Sequence, residues 1–335
     1  MRVLLTGGAG YIGAHVAIEL QQQGHEVVIA DNFANSRRGT AARIERVTGI
    51  APELFDIDVA NRSQLDELFS VIRVEAVIHL AGHKSVEDSV RDPLEYYDNN
   101  LLSTLSLLSV MRRWSVRKMV FSSSATVYQE PTHPPISETS TVGLGQTSPY
   151  GRTKAMIEAI LADFAGSDPL FEASILRYFN PVGAHMSGLI GEAPLGKPSN
   201  LLPLVGQAAM GQRAHVSVFG NSYDTLDGTG VRDYIHVVDL ALGHVAALEG
   251  LARGVETFNL GTGTGHSVLD VIKAYERAAG RQVPYRLEAS RNGDVARSFA
   301  DVSKVKRELG WTASRTLDDS CRDDWRWRRG NADLD

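Results

Sequence analysis

Cysteine is almost missing from this chain: Cys321 is the single one in 335 residues. No internal disulfide can form, and no Cys-x-x-Cys metal or redox motif exists. No apolar run approaches the 18 residues that a membrane-crossing helix needs. His-Glu-x-x-His is absent too, and the ten histidines offer no convincing metal site. Positive charge is not in excess. The net charge of −6 removes the electrostatic ground for expecting nucleic acid or an anionic membrane as partner. There is no internal repeat, no low-complexity tract and no secretory signal, so the expected setting is the cytoplasm. What remains, 43% hydrophobic and 22% charged, is the composition of a globular chain whose length suggests about two domains.

Glycine is concentrated near the start. Arg2-Val3-Leu4-Leu5-Thr6 is a short apolar run suited to a buried parallel strand. Gly7-Gly8-Ala9-Gly10-Tyr11-Ile12-Gly13 follows at once. It satisfies both G-x-G-x-x-G (Gly8, Gly10, Gly13) and G-x-x-G-x-x-G (Gly7, Gly10, Gly13). A helix follows, with Ile12, Val16, Ile18 and Leu20 as apolar positions and Gly24 as its stop. Glu26-Val27-Val28-Ile29-Ala30 is a second strand, ending on Asp31. Glycines in this setting let the backbone approach a pyrophosphate held at the helix N-terminus. Asp31 is placed to accept hydrogen bonds from the adenosine ribose. A glycine turn kept for packing alone would leave Asp31 unexplained, so the unit predicts a dinucleotide site. Asp31 is followed by Asn32, with no arginine at either place, which favours NAD over NADP. Arg37 and Arg38 are the nearby cations that could accommodate a 2′-phosphate.

The alternation continues. Residues 52–55 read as a third strand ending near Asp58, and residues 62–72 as a helix with Leu65, Leu68, Phe69 and Ile72 on one face. Residues 76–80 form a fourth strand running into Ala81-Gly82. A long helix from about Pro93 to Arg113 carries Leu94, Leu101, Leu105, Leu108 and Met111. Residues 118–121 are a fifth strand that ends in Ser122-Ser123-Ser124, and residues 173–177 are a later one. The pattern predicts an α/β fold with a doubly wound, Rossmann-type parallel sheet and helices on both faces. Such sheets bind ligands at the carboxyl ends of their strands. The glycine loop, Asp31, Asp58, Ala81-Gly82 and Ser122–Ser124 all fall there. After Asn180 glycine and proline become frequent and the rhythm breaks. That places a cofactor domain over residues 1–180 and a smaller C-terminal substrate-binding domain over 181–335, some of whose segments return to the first. His79 and His236 read as structural. Trp325-Arg326-Trp327-Arg328-Arg329 reads as a solvated C-terminal helix, and the acids around it (Asp318, Asp319, Asp323, Asp324) argue against a nucleic-acid role.

Ser148-Pro149-Tyr150-Gly151-Arg152-Thr153-Lys154 is the most informative stretch outside the glycine loop. Ser148 is a good N-cap and Pro149 a good first helical residue. Tyr150 and Lys154 then share one face of the helix. The ammonium and the helix N-terminus both favour phenolate, so the expected Tyr150 pKa is lowered from near 10. A phenol so placed is a candidate general base.

Taken with residues 6–13, 31–36, 93–100, 121–128, 176–185 and 227–240, this stretch makes the chain resemble the extended short-chain dehydrogenase/reductase superfamily nearly end to end. Within it, the chain is most similar to the UDP-glucose 4-epimerase family. The resemblance implies NAD kept bound through turnover, a homodimer, and epimerisation at C4 of a UDP-hexose through a transient 4-keto sugar. It assigns Ser124, Tyr150 and Lys154 to catalysis. Around the dinucleotide it implies contacts from Gly7, Gly10, Tyr11, Ile12 and Gly13; from Asp31, Asn32, Asn35 and Ser36; and from Asp58 and Val59. Leu80, Ala81, Gly82, Lys84, Asn99 and Phe179 complete that set with Tyr150 and Lys154. On the substrate side it implies Lys84, Ser124, Tyr150, Asn180, Asn200 and Leu201, then Ser217, Phe219, Arg232, Arg291, Asp294 and Ser298. Arg232 and Arg291 make physical sense as pyrophosphate partners. His83 stands where a leucine is usual and Gln129 where a glycine is usual, the latter able to alter the loop beside Ser124. A nucleotide-sugar 4,6-dehydratase on this scaffold would carry an Asp-Glu pair just after the serine; here Ala125-Thr126 stands there, with no titratable group. An inactive NAD-sensing regulator would have lost the tyrosine or the lysine. Ser298 aligns with a pocket position where a small residue is associated with N-acetylated sugars, so UDP-GlcNAc and UDP-GalNAc join UDP-glucose and UDP-galactose as expected substrates.

Overall fold

A computed structural model describes residues 1–129, 133–143, 145, 148–196, 198–291 and 294–331. Strand and helix alternate through β1 (Arg2–Thr6), α1 (Tyr11–Gln22), β2 (Glu26–Asp31), α2 (Thr40–Thr48), β3 (Glu53–Asp56), α3 (Arg62–Val71) and β4 (Ala76–His79). Then come α4 (Val86–Arg91), α5 (Pro93–Arg113), β5 (Lys118–Ser124), α6 (Pro149–Ser167) and β6 (Glu172–Tyr178). The later elements are β7 (Asn180–Val182), α7 (Leu201–Met210), β8 (Val216–Phe219), β9 (Val231–His236), α8 (Val237–Glu249) and β10 (Gly254–Leu260). They are followed by β11 (Gly265–Ser267), α9 (Val268–Ala279), β12 (Tyr285–Glu288), β13 (Arg297–Ser298), α10 (Ser303–Leu309) and α11 (Leu317–Gly330).

One parallel sheet runs in the order β10-β6-β5-β4-β1-β2-β3. Its strands are apolar on both faces because both are covered. Val3 and Leu5 pack on one side with Val16 and Ile18 of α1 and Leu240 and Val245 of α8. Leu4 faces the other way, into a core shared with Leu65 of α3, Leu107 of α5 and Ile157 of α6. From β1 the chain builds outward through β2 and β3, then returns to build β4, β5 and β6 on the opposite side. The strand order therefore reverses between β1 and β4, and the crevice at their carboxyl ends is where such sheets take ligands. Residues 181–331 supply the rest: β9 pairs with β7, β11 and β13, and β12 pairs with β8. A third core gathers Val205 of α7, Tyr275 of α9 and Trp325 of α11.

The structure corrects one sequence reading and adds to two others. The leucines of α5 do not share one environment: Leu108 and Met111 are buried, whereas Leu94 and Leu105 are exposed. The buried side of α5 is instead completed by small and polar residues, including Asn100, Ser103 and Thr104. α11 is a helix but not a solvated one. Trp327 and Arg328 are each 1% exposed, because Arg328 neutralises the buried Asp324 at 2.8 Å and Tyr275 donates to the same carboxylate. Finally β10, which the sequence reading passes over, closes the sheet against β6 in register from Gly254–Glu172 to Leu260–Tyr178.

Candidate active site

The glycine loop leaves β1 at the reversal point. Gly7 has φ +70°, and a Cβ there would come within 2.8 Å of the Ala81 amide nitrogen. Gly13 is equally constrained, since its Cβ would sit 2.5 Å from the Gly7 carbonyl. Gly10 is different. It caps α1 in an ordinary extended conformation with no side-chain hydrogen bond, and a Cβ would approach only the Gly7 carbonyl, at 3.3 Å. The first-turn amides of α1 thus have no side chain over them and no acid beside them, which suits an anion. Asp31, at the end of β2, accepts from the Ala9 amide at 3.0 Å, the Phe33 amide at 2.9 Å and the Ser36 hydroxyl at 2.8 Å. One carboxylate therefore binds the glycine loop to the segment holding the exposed Asn32 and Asn35. Arg38 is engaged elsewhere, donating to Asp56 at 2.6 Å and lying over the Phe33 ring at 4.4 Å.

Asp58 and Val59 follow β3, and Leu80, Ala81, Gly82 and Lys84 follow β4, on the same edge. Asn100 fixes that second loop. It accepts from the His83 amide at 2.7 Å and donates to the His83 carbonyl and to the Thr153 hydroxyl of α6. Its neighbour Asn99 accepts from the same amide at 3.3 Å. The His83 ring turns outward to Glu95, so the unusual side chain leaves the loop's backbone intact. Gln129 is accommodated similarly: it lies against Gly143 and Gly145, where any Cβ would strike its amide.

Ser124 ends β5, and Tyr150 and Lys154 lie in the first turns of α6. Ser148 caps that helix by accepting from the Gly151 amide at 3.2 Å. The Ser124 oxygen accepts from both the Thr126 amide at 3.2 Å and the Thr126 hydroxyl at 3.0 Å. Its own proton is left to donate into the site. Thr126 is a contributor that the sequence reading noticed only for lacking charge. Lys154, 5% exposed, donates to the Ser122 carbonyl at 2.8 Å and lies 5.9 Å from the Tyr150 ring centroid. The expected depression of the Tyr150 pKa is reversed. Burial pushes the phenol up to about 12, outweighing Ser124, which favours the phenolate. Lys154 is brought down to about 8 by burial, against the pull of the Glu158 carboxylate. Desolvation opposes both charges here, and the ammonium is turned toward a carbonyl rather than toward the phenol oxygen.

Phe179 and Asn180 follow β6, the first buried and the second exposed. Across the crevice, Arg291 stacks on the Phe219 ring at 3.8 Å. Arg232 lies 3.9 Å from Asp294 and is in register with Ser298, so these five form one wall. Ser217 stands two residues before Phe219 on β8, opposite Arg286. Asn200 precedes Leu201 at the start of α7 and uses its amide on Glu192 at 2.7 Å. Lys84 meets the same carboxylate oxygen at 3.3 Å. Glu192, unremarked in the sequence, therefore ties the β4 loop to the opposite wall. Among the described residues no cluster of His, Cys, Asp or Glu could hold a metal.

Comparison with known proteins identifies the family of the chain. The model of the NAD dependent epimerase/dehydratase family matches residues 3–261. The UDP-glucose 4-epimerase of Bacillus subtilis is 51% identical over 333 residues, covering 99% of this chain and 98% of that protein. The human UDP-glucose 4-epimerase is 49% identical over 338 residues, covering 98% and 97%. The crystal structure of the Bifidobacterium longum UDP-glucose 4-epimerase, in complex with NAD+ and UDP, superimposes with a TM-score of 0.96 at 49% identity, covering all of both chains. The chain belongs to the NAD dependent epimerase/dehydratase family and, within it, to the UDP-glucose 4-epimerases.

Proposed function

We propose that this protein inverts C4 of a UDP-hexose, interconverting UDP-glucose and UDP-galactose through a 4-keto sugar. The observation that carries the reading is the Ser124–Tyr150–Lys154 group at the carboxyl end of β5 and the start of α6, one strand from the reversal of the strand order, with uncharged Ala125 and Thr126 where a dehydratase would need an acid and a base. NAD, when bound, supplies the hydride acceptor and returns the same hydride. The chain's own residues do the rest. Tyr150 takes the proton of the 4-hydroxyl, Ser124 donates to the 4-oxygen, and Lys154 supplies the positive charge that favours phenolate. Residues 1–180 hold the dinucleotide and residues 181–335 the UDP-sugar, with β10 and α8 of the second part built onto the first. Arg232 and Arg291 are the cations for the pyrophosphate, and the Gly10 cap leaves the α1 amides for the cofactor's phosphates.

The Ser298 pocket extends the reading to N-acetylated sugars. Its neighbours are occupied elsewhere: Phe299 packs over Gly265, and Arg297 donates to the Asp224 carbonyl. Exposed Leu94, Leu102 and Leu105 recur at helical spacing along α5, which supports a homodimer. Cys321, buried and in no disulfide, fits a reducing, cytoplasmic setting. The decisive experiment is to incubate the purified protein with UDP-galactose, adding no cofactor. UDP-glucose should accumulate; its absence, with NAD shown to be bound, overturns the assignment.

A further inference from the structure

We propose that Glu158 is a positioning residue for this reaction: its carboxylate, one turn beyond Lys154 on α6, keeps the Lys154 ammonium charged and, through Arg177 and Ser123, locks α6 to the strands bearing Ser124. The inference rests on the function proposed above. Glu158 is 8% exposed, yet its carboxylate is surrounded by donors. Arg177 reaches it twice, Nε at 3.1 Å and Nη2 at 2.6 Å, and the Ser123 hydroxyl donates at 2.5 Å. Arg177 continues to the Tyr128 hydroxyl and the Glu138 carbonyl, each at 3.2 Å. Helix α6, strands β5 and β6, and the loop after Ser124 therefore meet on one ion pair.

Stability alone is a weak reason for such a pair, because a buried ion pair can often be replaced by apolar residues without loss. Its position offers a better one. The groups facing Lys154 are Tyr150 and Glu158 from its own helix, Phe121 and the Ser122 carbonyl from β5, and His79 from β4. Tyr178 of β6 stands by the same Ser122 and by Tyr150. Burial disfavours the charged forms of Tyr150, Tyr178 and His79 alike. Glu158 is then the one anion among these described groups, and it opposes the burial that would strip Lys154 of its proton. Arg177 is committed to Glu158 and holds the carboxylate in place.

The test compares the pH dependence of kcat/KM for UDP-galactose in wild type, E158Q, E158D and the double variant E158Q/R177Q. The double variant removes both charges, so that neither is left buried and unpaired. Loss of the carboxylate should move the alkaline limb down by about one pH unit or more, as expected for removing a close opposite charge. E158D should restore the wild-type limb. A merely structural Glu158 predicts lower melting temperatures with an unmoved limb in both E158Q and the double variant, and that result overturns the proposal. Competitive acetylation of Lys154 across the same pH range, read by peptide mass spectrometry, measures the same shift without turnover. If the wild type is inactive on UDP-galactose, the function fails while the labelling still decides the role of Glu158.

Discussion

At the scale of single residues, Tyr150 holds its proton because burial outweighs the groups that favour phenolate. Lys154 is the cation beside it, its Nζ 5.9 Å from the Tyr150 ring centroid. Tyr150→Phe deletes one oxygen from a helix whose Ser148 cap and buried Ile157 and Leu161 are untouched. Turnover should fall by about 10²–10⁴-fold, with melting temperature and bound NAD unchanged. Near-native turnover would shift the base to another group, Ser124 first. Ser298 is the second residue at which the proposed function can be tested. It is half-buried beside Arg232, with Phe299 and Arg297 directed to other partners. The wild type should act on UDP-GlcNAc as well as UDP-glucose, and Ser298→Tyr should lose only the N-acetyl activity. Initial rates on the two substrate pairs check this, and a wild type inactive on the N-acetyl pair rules it out. Chemistry of this kind was legible in the sequence because Tyr150 and Lys154 share a helix. The sign of the Tyr150 shift was not, because burial is set by the elements packed around it.

At the scale of elements, the glycine loop separates two demands that look alike in sequence. Gly13 is required by the chain itself, since its Cβ would collide with the Gly7 carbonyl. Gly10 has backbone angles that alanine adopts freely, and within the chain a Cβ would press only on the Gly7 carbonyl, at 3.3 Å. Gly10→Ala should therefore cost under about 1 kcal/mol of stability while reducing bound NAD. Gly13→Ala should cost about 1–3 kcal/mol, the range for overpacking, and lose NAD as well. Denaturant melts and dinucleotide content after denaturation measure both, and a Gly10→Ala protein retaining full NAD would show that the loop amides are not the cradle. The β1–α1–β2 unit could be read because strand, glycines and acid lie within 31 residues. The faces of α5 and α11 could not. A buried leucine stripe and an exposed one have the same period, and the arginine of a buried pair is indistinguishable in sequence from a solvated one. β10 escaped notice because its partner β6 lies far back in the chain.

At the scale of the whole molecule, the α5 stripe bears on assembly. Placing glutamate at both Leu102 and Leu105 should convert a dimer to monomers in sedimentation, with NAD still bound; an unchanged sedimentation coefficient would put the interface elsewhere. Stability carries a second molecule-wide signature. His15, His79 and His244 are buried on α1, β4 and α8, and burial lowers them from 6.5 to about 3, about 3 and about 4. Each makes hydrogen bonds as a neutral ring: His79 lies between the Thr6 and Thr104 hydroxyls at 2.7 and 3.1 Å, and His244 pairs with Tyr178. Below pH 6.5 the unfolded chain takes up these protons while the folded one does not. The stability contributed by the neutral rings is therefore complete above 6.5 and lost as pH falls toward the folded values. Each group changes stability by up to about 1.4 kcal/mol per pH unit across that window. The melting temperature should fall with increasing slope from pH 6.5 to 5. Since most carboxylates titrate lower, near 4, a decline that began only below pH 5 would mean that these three rings do not govern it.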